Sequence, residues 1–96
     1  PQYLTEACAW SSVARFTAGE LAEARLLAEH ALGLDPKQGI AAAVLGRVVL
    51  RQGDRELART QLRRAADLLP TDGNLALEAA ELAEERGELE LAGRLL

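Results

Sequence analysis

Apolar and polar residues along this chain recur with helical spacing. In residues 56–69, Leu57, Ala58, Leu62, Ala65, Leu68 and Leu69 return every few positions, with Arg59, Arg63, Arg64 and Asp67 between them. Such spacing gives a helix one apolar stripe and an opposite, solvated face. From Ile40 to Arg51 the apolar residues crowd together instead, with Gly46 in their midst. Between these stretches Gln52-Gly53-Asp54 breaks the pattern: a glycine can take the left-handed conformation that ends a helix, and an aspartate can cap the next. Pro36 and Pro70 suit the first turn of a following helix, with polar Asp35 and Thr71-Asp72 beside them. The pattern predicts helices near 3–17, 20–33, 37–51, 54–68, 72–86 and 88–96.

The same punctuation returns at a fixed interval. Gly19, Gly53 and Gly87 are 34 residues apart, and each precedes an acid, Glu20, Asp54 or Glu88. Five positions after each glycine stands an alanine, Ala24, Ala58 or Ala92, and the pairs Ala31/Ala65 and Pro36/Pro70 keep the same interval. Several columns sharing one period without an insertion predict a stack of helical hairpins.

In period and in unit the chain resembles the tetratricopeptide repeat, a helix–turn–helix of 34 residues. Residues 39–72 carry the likeness best, through Leu45-Gly46, Val49, Gly53-Asp54, Ala58, Leu62, Ala65 and Pro70. Residues 5–38 match through Gly19-Glu20, Ala24, Ala28, Ala31 and Asp35-Pro36, and residues 73–96 through Ala76, Ala79-Ala80, Ala83, Gly87-Glu88 and Ala92. The third unit stops part-way along its second helix. The departures are Cys8, Ala42 and Ala76 where the family often has Trp, Ser11-Ser12 in place of Leu-Gly, and Arg15 where Tyr is common. Trp10 lies two positions past the usual slot and faces either the groove or a neighbouring repeat.

The resemblance implies an all-α fold, an α-solenoid of antiparallel helical hairpins wound into a right-handed superhelix. The whole chain, 1–96, is then a single domain with repeats at about 5–38, 39–72 and 73–96, cut from a longer array. Stacked hairpins bury one face against their neighbours, and the first helices of successive units line a concave surface. Family likeness puts Glu6, Ala9, Val13, Phe16 and Thr17 on that surface from the first unit. It adds Ile40, Ala43, Arg47, Leu50 and Arg51 from the second, and Asn74, Leu77, Glu81, Glu84 and Glu85 from the third. The candidate peptide-binding groove is therefore Val13, Phe16, Ile40, Arg47, Leu50, Arg51, Leu77 and Glu81. Arg47, Leu50 and Arg51 are three or four apart and share a helical face. Alternatively, Arg47 and Arg51 simply pair with Glu81, Glu84 or Glu85 on the next helix, about 0–1 kcal/mol per exposed pair. Some family members clamp a terminal carboxylate with Lys, Asn and Arg. The matching positions here hold Ala9, Val13, Val44, Asn74 and Glu78, so that ligand is not expected.

Composition narrows the function classes. Hydrophobic residues make up 49% of the chain but aromatics only 3%, so Ala, Leu and Val must build the core, as suits closely packed helices. The formal charge of −4 leaves no basic footprint for nucleic acid. No apolar run approaches the roughly 18 residues of a membrane helix, so membrane insertion is not expected. Cys8 reads as a small core residue, and His30, among Arg25, Glu29 and Ala31, as a solvated side chain. One His and one Cys make no transition-metal site, no Gly-rich phosphate loop follows a strand, and Ser11 and Ser12 have no nearby base. No catalytic group, metal or cofactor is expected. The run Glu78, Glu81, Glu84, Glu85, Glu88, Glu90 reads as a solvated helix surface.

The expected function is a protein–protein interaction module, an adaptor or scaffold whose partner is another protein or peptide. The alternative is a structural spacer, or a segment that self-associates head to tail through Tyr3, Leu4 and Trp10 at one end and Leu95-Leu96 at the other. Proteins of this kind often serve bacterial assembly or secretion machinery, which these residues do not select.

Overall fold

The computed structural model describes the backbone of residues 2–95 and the side chains of residues 3–87. Its elements are five helices: α1 (Gln2–Thr17), α2 (Leu21–Leu34), α3 (Gly39–Arg51), α4 (Arg55–Leu68) and α5 (Gly73–Leu95). No strand occurs among the described residues.

The first two glycine turns close in one geometry. At the end of α1, Gly19 N–H donates to the Phe16 carbonyl and Glu20 N–H to that of Arg15, at 3.0 and 2.9 Å. At the end of α3, Gly53 N–H donates to Leu50 and Asp54 N–H to Val49, at 3.1 and 2.9 Å. This paired bonding needs a left-handed residue, which glycine provides without a Cβ clash; φ is +82° at Gly19 and +94° at Gly53. Asp54 then caps α4 by accepting from Leu57 N–H at 3.0 Å, whereas Glu20 makes no such bond at α2. Asp72 caps α5, accepting from Asn74 and Leu75 N–H. Pro36 and Pro70 lie in turns ahead of helices that begin at Gly39 and Gly73.

The third glycine behaves differently. The expected break at Gly87 does not form, and α5 runs on from Gly73 to Leu95, so the described residues form five helices where six are expected. A glycine inside a helix costs only about 1 kcal/mol, and its neighbours, Glu84, Glu85, Arg86 and Glu88-Leu89-Glu90, are mostly good helix formers. The side chains of Glu88, Ala92, Leu95 and Leu96, which carry the expected sixth helix and one sticky end, lie outside the described residues.

Each helix packs on the next, and α1 also packs on α3. The core centres on α3, where every residue from Ala41 to Gly46 and both Val48 and Val49 are buried. Around it close Ala9 of α1, Ala24, Ala28 and Ala31 of α2, Ala58, Leu62 and Ala65 of α4, and Leu75 and Leu82 of α5. Gly46 permits the closest approach: a Cβ there would stand 2.7 Å from Leu62 Cγ and 3.1 Å from the Leu62 backbone N. The register equivalents 34 residues earlier are Ser12 and Ala28, both fully buried. A serine plus an alanine thus replaces a glycine plus a leucine. Ser12 satisfies its hydroxyl by donating to the Ala9 carbonyl, and buried Thr5 donates to the Ala31 carbonyl of α2 at 2.9 Å, which removes the cost of burying either group.

Arg59 departs from the solvated position expected of it. Its side chain is 13% exposed, against Glu56 at 2.7 Å, and Nε donates to the Leu82 carbonyl of α5 at 3.1 Å. The arginine stem fills space between α4 and α5, and its head lies between the Leu82 carbonyl, which Nε bonds, and the Glu56 carboxylate, close to a buried Nη1 that makes no hydrogen bond.

Candidate functional site

Three helices, α1, α3 and α5, contribute to one face. Arg47 ties α3 to α5: its Nε and Nη2 donate to Oε2 and Oε1 of Glu78 at 3.1 and 3.0 Å. The planar guanidinium matches the carboxylate fork, which fixes direction as well as distance. Both side chains are about one-third exposed, so water screens the pair and its contribution is on the order of 1 kcal/mol or less. Its consequence is positional, holding the start of α5 beside the middle of α3.

Arg51 follows Arg47 by one helical turn and makes a different contact. Its guanidinium carbon lies 4.4 Å from the centroid of the Phe16 ring on α1, within the range of cation–π attraction. Among the described residues no carboxylate pairs with it. Phe16, Arg47, Leu50, Arg51 and Glu78 line an open cavity of about 380 Å³. A second cavity, about 250 Å³, adjoins it through Leu50 and Glu78 and is completed by Arg55, Leu62, Glu81, Leu82 and Glu85. There Arg55 Nη1 pairs with Glu85 Oε1 at 2.8 Å, while Glu81 has no ion-pair partner among the described residues.

Of the groove residues the sequence points to, Phe16, Arg47, Leu50, Arg51 and Glu81 line these two cavities. Val13 and Ile40 are half-buried against the core and line neither. Leu77 is 59% exposed and also lines neither. Ala9 and Ala43 are buried, because α1 and α3 approach each other across small side chains. Arg47 pairs with Glu78 and not with Glu81, Glu84 or Glu85.

Sequence reasoning named Glu78 only where a clamp residue is lacking and in a solvated acidic run, and missed it as the partner of Arg47, although a signal existed. In the 34-residue register Glu78 stands where α3 has Val44, a buried position. A charge in a covered slot calls for an opposite charge on the adjoining helix, and Arg47 supplies it.

The reactive side chains are scattered. Cys8 is half-buried, His30 and Ser11 are exposed, and the Ser12 hydroxyl is committed to a carbonyl. Among the described residues no three His, Cys, Asp or Glu side chains gather where a metal ion could be held. No described helix is long and apolar enough to cross a membrane. Compared with known protein families and with curated proteins, the chain finds no match.

Proposed function

We propose that this chain is a tetratricopeptide-type module, an α-solenoid segment that binds a polypeptide in the groove formed by α1, α3 and α5. One observation carries the reading: two adjoining cavities, lined from α1, α3 and α5 and by Arg55 and Leu62 of α4, share Leu50 and are walled by charged groups, two of which have no ion-pair partner among the described residues. An apolar floor with a few oriented polar groups suits peptide capture. The neighbour-to-neighbour packing of the helices, with α1 against α3, and the matching turns at Gly19 and Gly53 support the repeat reading. Titrating ¹⁵N-labelled protein with a library of extended peptides tests it. Shift changes should cluster on Phe16, Leu50 and Arg51, and a footprint confined to α2 and α4 would overturn the groove assignment.

A second reading, self-association within or between chains, is favoured by a separate feature. Between α4 and α5 lies a trough of about 310 Å³ lined by Arg63, Ala66, Ala76, Ala80 and Ala83 among others. Sedimentation equilibrium over a range of concentrations decides it: mass should rise with concentration for wild type and much less for Ala80→Glu. A strictly monomeric chain would exclude the reading.

A further inference from the structure

The charges lining the two cavities are three arginines and three glutamates: Arg47, Arg51, Arg55, Glu78, Glu81 and Glu85. Four of these neutralise one another between elements, Arg47 with Glu78 and Arg55 with Glu85. One of each sign remains, Arg51 beside α1 and Glu81 on α5, each without an ion-pair partner among the described residues. Leu50 lines both cavities. The Arg51 guanidinium carbon lies over the Phe16 ring, and among the described residues no hydrogen bond or ion pair takes its N–H groups, so its fork is left to donate two parallel bonds to a carboxylate.

Resting on the groove reading, we propose that the ligand of this face is a bipolar extended segment, with an acidic and a basic residue flanking an aliphatic one. The acid meets Arg51, the aliphatic side chain covers Leu50, and the base meets Glu81. Side chains of an extended chain alternate between its two faces and it advances about 3.3 Å per residue, so an acid, an aliphatic residue and a base that all face the groove fall at every second position, with the two charges about 13 Å apart. Complementarity of this kind selects by repulsion as well as attraction. A segment with two acids opposes Glu81, and one with two bases opposes Arg51.

Fluorescence anisotropy with labelled Gly-Ser-Asp-Ala-Leu-Ala-Lys-Ser-Gly, and with variants carrying Asn for Asp, Gln for Lys, or both, tests the proposal on the full chain at low salt. The bipolar peptide should bind about tenfold more tightly than the doubly neutral one, the equivalent of about 1.4 kcal/mol. Arg51→Glu should abolish that preference, and a peptide with Lys in place of Asp should regain affinity for Arg51→Glu. Glu81→Gln should remove the dependence on the peptide Lys alone. Both positions are exposed, and circular dichroism of the variants checks that the helices persist. Peptides that shift Phe16 and Leu50 resonances equally well with or without charges would overturn the bipolar ligand and leave the groove standing. If no peptide, charged or neutral, perturbs those residues, the groove reading itself falls and the bipolar ligand with it.

Discussion

Residues 39–51 and 73–85 hold the same register, 34 positions apart, and meet opposite surroundings. In α3, Ala42, Gly46 and Val49 lie under α4 and are buried; their counterparts in α5, Ala76, Ala80 and Ala83, are exposed. α3 is packed by α1, α2 and α4, whereas α5 packs mainly on α4. The difference also reaches polarity. Val44 is buried, and Glu78 at the same register holds a carboxylate that Arg47 bonds from across the interface. A repeat register therefore specifies which face a residue occupies, while the number of neighbouring helices determines how much burial that face delivers.

The largest test of this contrast truncates one large side chain of α4 that packs on α3 and one on α5 itself. Leu62→Ala empties a fully buried position against Gly46 and should destabilise the fold by about 2–5 kcal/mol. Leu77→Ala, on the exposed face of α5, should stay within about 0.5 kcal/mol. Urea denaturation measures both, and equal losses would mean that α5 is as enclosed as α3.

Adding volume probes the same pair of helices from the other side. Gly46→Ala drives a Cβ into Leu62 and should cost about 1–3 kcal/mol, whereas Ala80→Leu at the matching position of α5 should cost less than about 0.5 kcal/mol. The double variant Gly46→Ala with Leu62→Ala should recover part of the Gly46→Ala penalty, since the two sites share one contact. Additive losses would show that the clash is with the α4 backbone alone.

The two glycine turns give a smaller, sharper comparison. Asp54→Ala removes a cap bond to Leu57 and should cost about 1 kcal/mol. Glu20→Ala removes no cap bond and only an exposed, solvent-screened pair with Arg15, so its effect should be much the smaller of the two. The Arg15 pKa is raised by its hydrogen bond to Glu20 and then by the charges of Glu20 and Glu23, so Arg15 stays cationic across the accessible pH range. Similarly, Arg59→Ala removes a bond to the Leu82 carbonyl and should cost about 1 kcal/mol, while Arg63→Ala on the exposed side of α4 should cost less than about 0.5 kcal/mol. Thermal melts of the four variants rank them.

Much of this molecule follows from local chemistry alone. Apolar spacing, the Gly-acid punctuation at 19–20 and 53–54, and the alanines five residues on determine α1 to α4 to within a few residues, because helix periodicity and left-handed glycine turns act within a dozen positions. Helical spacing also puts Arg47, Leu50 and Arg51 on one face, to which the repeat resemblance adds Phe16. Only the tertiary structure decided the rest. Whether Gly87 turns or stays helical depends on what the following segment can pack against, not on the glycine itself. Which glutamate Arg47 chooses depends on the offset between α3 and α5, and the burial of Arg59 on how closely α5 lies over α4. These are distances between helices, and one chain's pattern of residues carries the face of each helix but not the separation between them.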